Sequence, residues 1–308
     1  GQMWIKTATG TSSVMKGYQA QGTGSWATGG NMNTGRSYIG PATRGSQTAA
    51  LGFGGDPNGS SITESYDGSS WTEVGDLNTP RSAAAGAGTQ TSALASTGYP
   101  SGGKDKVESW DGSSWSEVAE PNTPRDSTSG TGESNTSAII YGGYNPPQVY
   151  ETETEVWDGS SWTEVADLNT GRRNSSKSGT ATSAITAGGT TQPGIRDEVE
   201  SWDGTAWTEV NELNTDREQM GAGGADNTSA IVFGGAINTS GGDTVNAEQW
   251  NGTSWTEVAN LSTERFGLGG SSAGVAASIG FGGTDNDDQL ANTEEWVIPF
   301  VTKTVGTD

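Results

Sequence analysis

The chain has 308 residues, only 30% of them hydrophobic, and a formal charge of −22 at pH 7, with 15 Lys plus Arg against 37 Asp plus Glu. A field of that sign repels phosphate backbones and anionic bilayers, so nucleic-acid binding and membrane insertion are disfavoured. Cys and His are both absent, which excludes a disulfide framework, a thiolate nucleophile and a Cys/His zinc site.

Low hydrophobicity alone would suit a disordered chain, but disordered chains are poor in aromatics and this one holds 12 Trp and 49 Gly. Large aromatics separated by small residues point instead to a β-rich fold whose thin core is shared among many units. No run of 18 apolar residues is present, so no spanning helix is expected. Residues 1–20 (GQMWIKTATGTSSVMKGYQA) lack the apolar centre of a signal peptide and are expected to form an N-terminal arm.

From residue 21 onward one phrase recurs: GSWATGGNMNTGR, ESYDGSSWTEVGDLNTPR, ESWDGSSWSEVAEPNTPR, EVWDGSSWTEVADLNTGR, ESWDGTAWTEVNELNTDR and EQWNGTSWTEVANLSTER. Its second aromatic falls at Trp26, Trp71, Trp115, Trp162, Trp207 and Trp255, in steps of 45, 44, 47, 45 and 48 residues. Ten residues later stands an arginine each time: Arg36, Arg81, Arg125, Arg172, Arg217 and Arg265. The first aromatic is Tyr66, Trp110, Trp157, Trp202, Trp250 and Trp296, and a glutamate precedes it by two: Glu64, Glu108, Glu155, Glu200, Glu248 and Glu294. Between arginine and glutamate lies a glycine doublet, replaced once by Thr97-Gly98. Six units follow from this count, and repeats of such length indicate a solenoid, propeller or array.

Each unit reads as four short strands. A segment of Gly, Ala and Ser follows the arginine, and an apolar strand then ends at the doublet. A third strand carries Glu-x-Trp and a fourth starts at the next Trp. Asp-Gly-Ser-Ser between the last two is a tight hairpin signal, because Gly takes positive φ without steric cost. Four strands in some 45 residues are too few to stand alone, but stacked radially they make propeller blades.

The chain ends fit a closed ring. Residues 21–36 supply only a fourth strand and residues 293–300 only a third, so the two are expected to pair and complete one blade. The expected domain plan is an arm at 1–20, a propeller at 21–300 and a tail at 301–308.

The pattern of doublet, spaced aromatic pair and one four-stranded blade per repeat resembles the kelch family, with the aromatics closer together than kelch units usually place them. The resemblance implies an all-β, six-bladed propeller of four-stranded kelch-like blades, closed by strands from both termini. The wording WDGSSWTEV…LNTxR further resembles kelch-type virion or tail proteins of marine bacteriophages. It implies a non-enzymatic binding or structural module, on a virion or extracellular, whose partners are a host-surface glycan or protein and other virion proteins. A glycan-active hydrolase using loop carboxylates and a secreted adhesin or lectin are the rival readings.

Within that frame Trp71, Trp115, Trp162, Trp207 and Trp255 are expected to fill the wedge between blades. Arg81, Arg125, Arg172, Arg217 and Arg265, one per blade, are expected to be structural. No cofactor is expected: the copper chemistry of galactose oxidase, which uses a kelch-like propeller, needs the His and Cys this chain lacks. Asp285, Asp287 and Asp288 concentrate acid in one loop without the spacing of a Ca²⁺ loop, leaving a metal there open.

The units differ between doublet and glutamate, where the loops read DPNGSSIT, YPSGGKDKV, YNPPQVYETET, TTQPGIRDEV, AINTSGGDTVNA and TDNDDQLANT. In a propeller these loops share a face with the LNTxR segments, which makes that face the expected binding surface. Tyr99, Tyr144 and Tyr150, beside Pro146 and Pro147, are the expected ligand-binding residues.

Overall fold

The computed structural model describes residues 3–9, 12–20, 24–57, 59–99, 104–145, 147, 149–238 and 242–305. Six four-stranded antiparallel sheets, one per repeat, are arranged around a common axis as the blades of a propeller. Blade three shows the plan: Ser129–Ser134 lies innermost, followed outward by Ser137–Tyr141, Thr154–Trp157 and Trp162–Glu164. Blades one, two, four and five occupy residues 40–73, 85–117, 178–210 and 221–258. Blade six takes three strands from residues 269–297 and its outermost, Ser25–Thr28, from the other end of the chain, with Trp26 opposite Trp296. The ring is thus closed by strands from both ends, as the half-units predict.

The inner strands are small because neighbours crowd there. A Cβ on Gly86 would stand 1.9 Å from the Pro41 carbonyl oxygen of the adjacent blade. At the outer edge, the Asp-Gly-Ser-Ser hairpins hold themselves: the Asp111 carboxylate accepts hydrogen bonds from the amides of Ser113 and Ser114 and from the Ser113 hydroxyl. The Ser113 hydroxyl, then the two amides, pull the Asp111 carboxyl down to about 2.

The core is divided into six apolar clusters, each drawn from two adjacent blades. Each joins the outer aromatics of one blade to the apolar strand of its neighbour, and four of the six add the leucine before Asn-Thr or Ser-Thr, with Met32 in its place in a fifth; Trp110 and Trp115 meet Leu51, Phe53 and Leu77. Within blades two to five the paired Trp rings sit 5.3–5.4 Å apart, tilted by about 40°. The outer Trp also reaches across: Trp115 Nε1 donates to Thr63 Oγ1 at 3.0 Å, and Trp207 Nε1 to Thr154 Oγ1 at 3.0 Å. Two rings per wedge, each burying about 150–250 Å², replace the Leu and Ile that the chain lacks. Trp26 alone among the six outer tryptophans is half-buried.

Trp162 is 7% exposed, lies against Trp157 and donates to the Ala119 carbonyl at 2.9 Å. Trp162→Ala should cost about 3 kcal/mol, the lower end for such truncations because an outer strand relaxes more easily. Equilibrium urea unfolding measures it, and a loss under about 1 kcal/mol would refute a packed wedge.

The arm and tail form a further, three-stranded sheet, in which Ser12–Ala20 pairs with both Met3–Thr9 and Phe300–Val305. The sequence did not suggest this pairing. No helix among the described residues is long and apolar enough to cross a membrane.

Candidate functional site

The repeated arginine and glutamate form one buried ion pair per blade: Arg36–Glu64, Arg81–Glu108, Arg125–Glu155, Arg172–Glu200, Arg217–Glu248 and Arg265–Glu294. Each arginine follows the outer strand of one blade, and each glutamate lies in the third strand of the next, so the pair fastens neighbours. Asn169 adds its amide and its side-chain Nδ2 to Glu200 Oε2, at 2.7 and 2.8 Å, and Arg172 Nη1 donates to the carbonyls of Gly188 and Glu198. Burial pulls the guanidinium pKa of Arg36, Arg81, Arg217 and Arg265 down, and the paired carboxylate opposes it.

Immediately after the arginine the chain turns toward the axis. The next residue bridges to the residue that follows the doublet, as in Ser82 with Tyr99, Asp126 with Tyr144 and Arg173 with Thr190. These bridges put the variable loops and the LNTxR segments on one face. The residue two past each arginine, namely Tyr38, Ala83, Ser127, Asn174, Gln219 or Gly267, adopts positive φ between 51° and 62°. Only one is glycine, and non-glycine residues in this region carry strain of the kind that gathers at functional sites.

Five successive backbone hydrogen bonds link these six into an annulus that is open between Ala83 and Ser127: Tyr38 N to Gly267 O, Ala83 N to Tyr38 O, Asn174 N to Ser127 O, Gln219 N to Asn174 O and Gly267 N to Gln219 O, at 2.6–3.2 Å. The backbone thus presents five different side chains and one glycine at the mouth of the axial channel.

Above the ring lies a basin of about 190 Å³, lined by Tyr38, Asp56, Tyr99, Arg173, Asn174 and Gln219 among others. Tyr99 is 57% exposed, the most exposed large apolar side chain among the described residues. Tyr144 and Tyr150 pair across a two-stranded ribbon with ring centroids 5.7 Å apart. The Arg173 guanidinium covers both rings, 4.9 Å from the first centroid and 5.6 Å from the second, a cation–π arrangement. The three tyrosines singled out by sequence therefore belong to one surface: Tyr99 lines the basin, and Arg173 joins the Tyr144–Tyr150 pair to it. Pro146 lies outside the described residues.

Acid groups also occupy the variable loops. Glu151, next to Tyr150, is buried, and its carboxyl is pushed up to about 7 by burial and then by the adjacent Glu153. Asp285 accepts the amides of Asp287 and Asp288 in its own loop at 3.2 and 2.9 Å. Among the described residues no three of His, Cys, Asp and Glu are grouped to hold a metal ion.

Sequence reasoning missed Tyr38, Arg173, Asn174 and Gln219. A signal was present: after the constant arginine the phrase turns variable, as SY, SA, DS, RN, EQ and FG. No protein-family model matches the chain, and a search of curated proteins finds no match.

Proposed function

We propose that the protein is a non-enzymatic binding module that recognises a surface glycan or protein through its loop face. The observation that carries this reading is the Tyr144–Tyr150–Arg173 cluster, continuous with Tyr99 and the basin, on a scaffold whose other repeated positions are spent on packing. Tyr and Arg are, with Trp, the side chains enriched among interface anchors, and Tyr pairs an apolar face with a hydroxyl, which suits sugars. The kelch-like wording and the near-identical units favour a bacteriophage virion or tail component that meets a host surface or other virion proteins. The net charge of −22 supports partners other than nucleic acid and lipid.

The experiment compares two double variants in a glycan array and in adhesion to bacterial cells. Tyr144→Ala with Tyr150→Ala should weaken binding about tenfold or more, while Ser113→Ala with Ser114→Ala, on the opposite face, should leave it intact. Binding lost only in the serine pair would place the site on the hairpin face and reject this reading.

A hydrolase acting on surface glycans is the second reading. The raised carboxyl of Glu151 beside Glu153 favours it, since a carboxylic acid held near neutral pH is what a general acid requires. Release of reducing sugar from a bound glycan, lost in Glu151→Gln, would establish it.

A further inference from the structure

We propose that the axial channel is a binding site for a small carboxylate, with the Lys177 ammonium as its counter-ion. The first observation is a break in symmetry. Five residues past the repeated arginine stand Pro41, Gly86, Gly130, Ala222 and Gly270 in five blades, and Lys177 at the start of blade four. A position that crowding keeps small elsewhere thus admits one long cation, pointing into the channel.

The second observation is the charge inventory. Of the basic residues whose side chains the structure describes, the six repeated arginines, Lys104, Lys106 and Arg196 form ion pairs. Arg44, Arg173 and Lys177 have no carboxylate partner among the described residues, and all three lie along the axis. Arg173 is at the mouth. Arg44 crosses the channel, its Nη1 donating to the carbonyls of Gly224 and Ala225 at 3.1 and 2.8 Å. Lys177 lies between, with one hydrogen bond from Nζ to the Ala84 carbonyl at 3.1 Å, which leaves two donors. In a chain of charge −22, this axis is a cationic thread.

The cavity around Lys177 narrows the ligand class. Below the annulus it holds about 40 Å³ beside Ser127, Thr128, Asn174 and Ser175, with Met220 and Leu268 as the apolar part of its wall. One ammonium with hydroxyl and amide neighbours matches a single negative charge; a phosphate dianion would demand further cations. Burial alone, with no acid nearby to offset it, draws the Lys177 pKa down to about 8. The basin above, at about 190 Å³, contains Asp56 and is smaller than the roughly 300–1,000 Å³ of drug-sized sites. It therefore suits an uncharged polyhydroxyl ring better than a second anionic group. An acidic sugar fits, with its carboxylate in the neck and its ring in the basin, and so does a free carboxylate ion in the neck alone.

Isothermal titration with glucuronate, acetate and glucose separates these sources on the wild-type protein and on Lys177→Met. Glucuronate should bind the wild type, glucose at least about tenfold more weakly, and Lys177→Met should lose about tenfold or more of the glucuronate affinity. Acetate binding without glucuronate binding would also support the site and identify a free carboxylate ion as its occupant. Affinity should fall as pH rises through about 8, where Lys177 loses its charge. Tyr38 is the other titratable group on the neck wall, and Asp56, Tyr99 and Arg173 face it from the basin.

Lys177→Met breaks no ion pair, and its melting temperature reports that it folds. Equal glucuronate affinity in both proteins, or failure of both carboxylates to bind the wild type at millimolar concentration, would overturn the proposal. These probes are independent of the loop-face reading, because a protein that adheres to no cell surface would still bind them.

Discussion

Deletion of residues 290–308 is expected to abolish the single cooperative thermal transition of the propeller. The deletion removes Thr293–Val297, which pairs on one side with Ile279–Phe281 and on the other with Ser25–Thr28. Blade six would then keep two inner strands and lose its hold on the fourth, exposing unpaired sheet edges on both sides of the gap. Two further losses compound this. Glu294 is the partner of buried Arg265, whose guanidinium would be left in the interior without its carboxylate. Trp296 fills the wedge with Phe233 and Leu261, so its removal opens a cavity of aromatic size between blades five and six. A propeller holds each blade by two neighbours, and opening one interface relieves the constraint on all six. Scanning calorimetry should show a broad, low-enthalpy transition or none. Deletion of residues 301–308 alone, which reaches only the strand paired with the arm, should retain a sharp one. A 290–308 deletion that melts at the wild-type temperature would reject closure by the termini.

How legible this was in the sequence depended on repetition. The blade count, the aromatic wedge and the shared face followed from positions written six times, because packing in a closed ring imposes one solution on every unit. Thr97 shows how firm that constraint is. It replaces the first glycine of the doublet and still takes φ 60°, held by its hydroxyl contact with Thr128. The site was half legible. Tyr99, Tyr144 and Tyr150 stood out by residue type in variable loops, but Arg173 reads as the second letter of an Arg-Arg pair, and nothing local says that one arginine is buried and the other covers two tyrosines. Lys177 was hidden for a similar reason: its position matters only once the inner strands are known to face one another. The arm–tail sheet joins residues nearly 300 apart, a pairing that no local pattern encodes.

The fasteners between blades should be as costly to break as the closure strand, and Arg172 is the sharpest place to test them. Its side chain is 1% exposed and that of Glu200 is fully buried. Arg172 Nη2 lies 2.9 Å from Glu200 Oε1, its Nη1 serves the carbonyls of Gly188 and Glu198, and its Nε serves Thr170. Glu200 in turn accepts from the amides of Asn169 and Thr170 and from Asn169 Nδ2. Arg172→Met fills a similar volume but strands a carboxylate and three carbonyls away from water, and it should cost about 3–5 kcal/mol. Arg172→Lys should recover little of this, since an ammonium cannot reproduce the fork that spans two strands. The double variant Arg172→Met with Glu200→Leu separates charge from shape: removing the stranded carboxylate should leave it no less stable than Arg172→Met alone, even though two amides lose their acceptor. Equilibrium denaturation measures all three. A cost below about 1 kcal/mol for Arg172→Met would mean that the ion pair is incidental and that the aromatic wedges alone hold adjacent blades together.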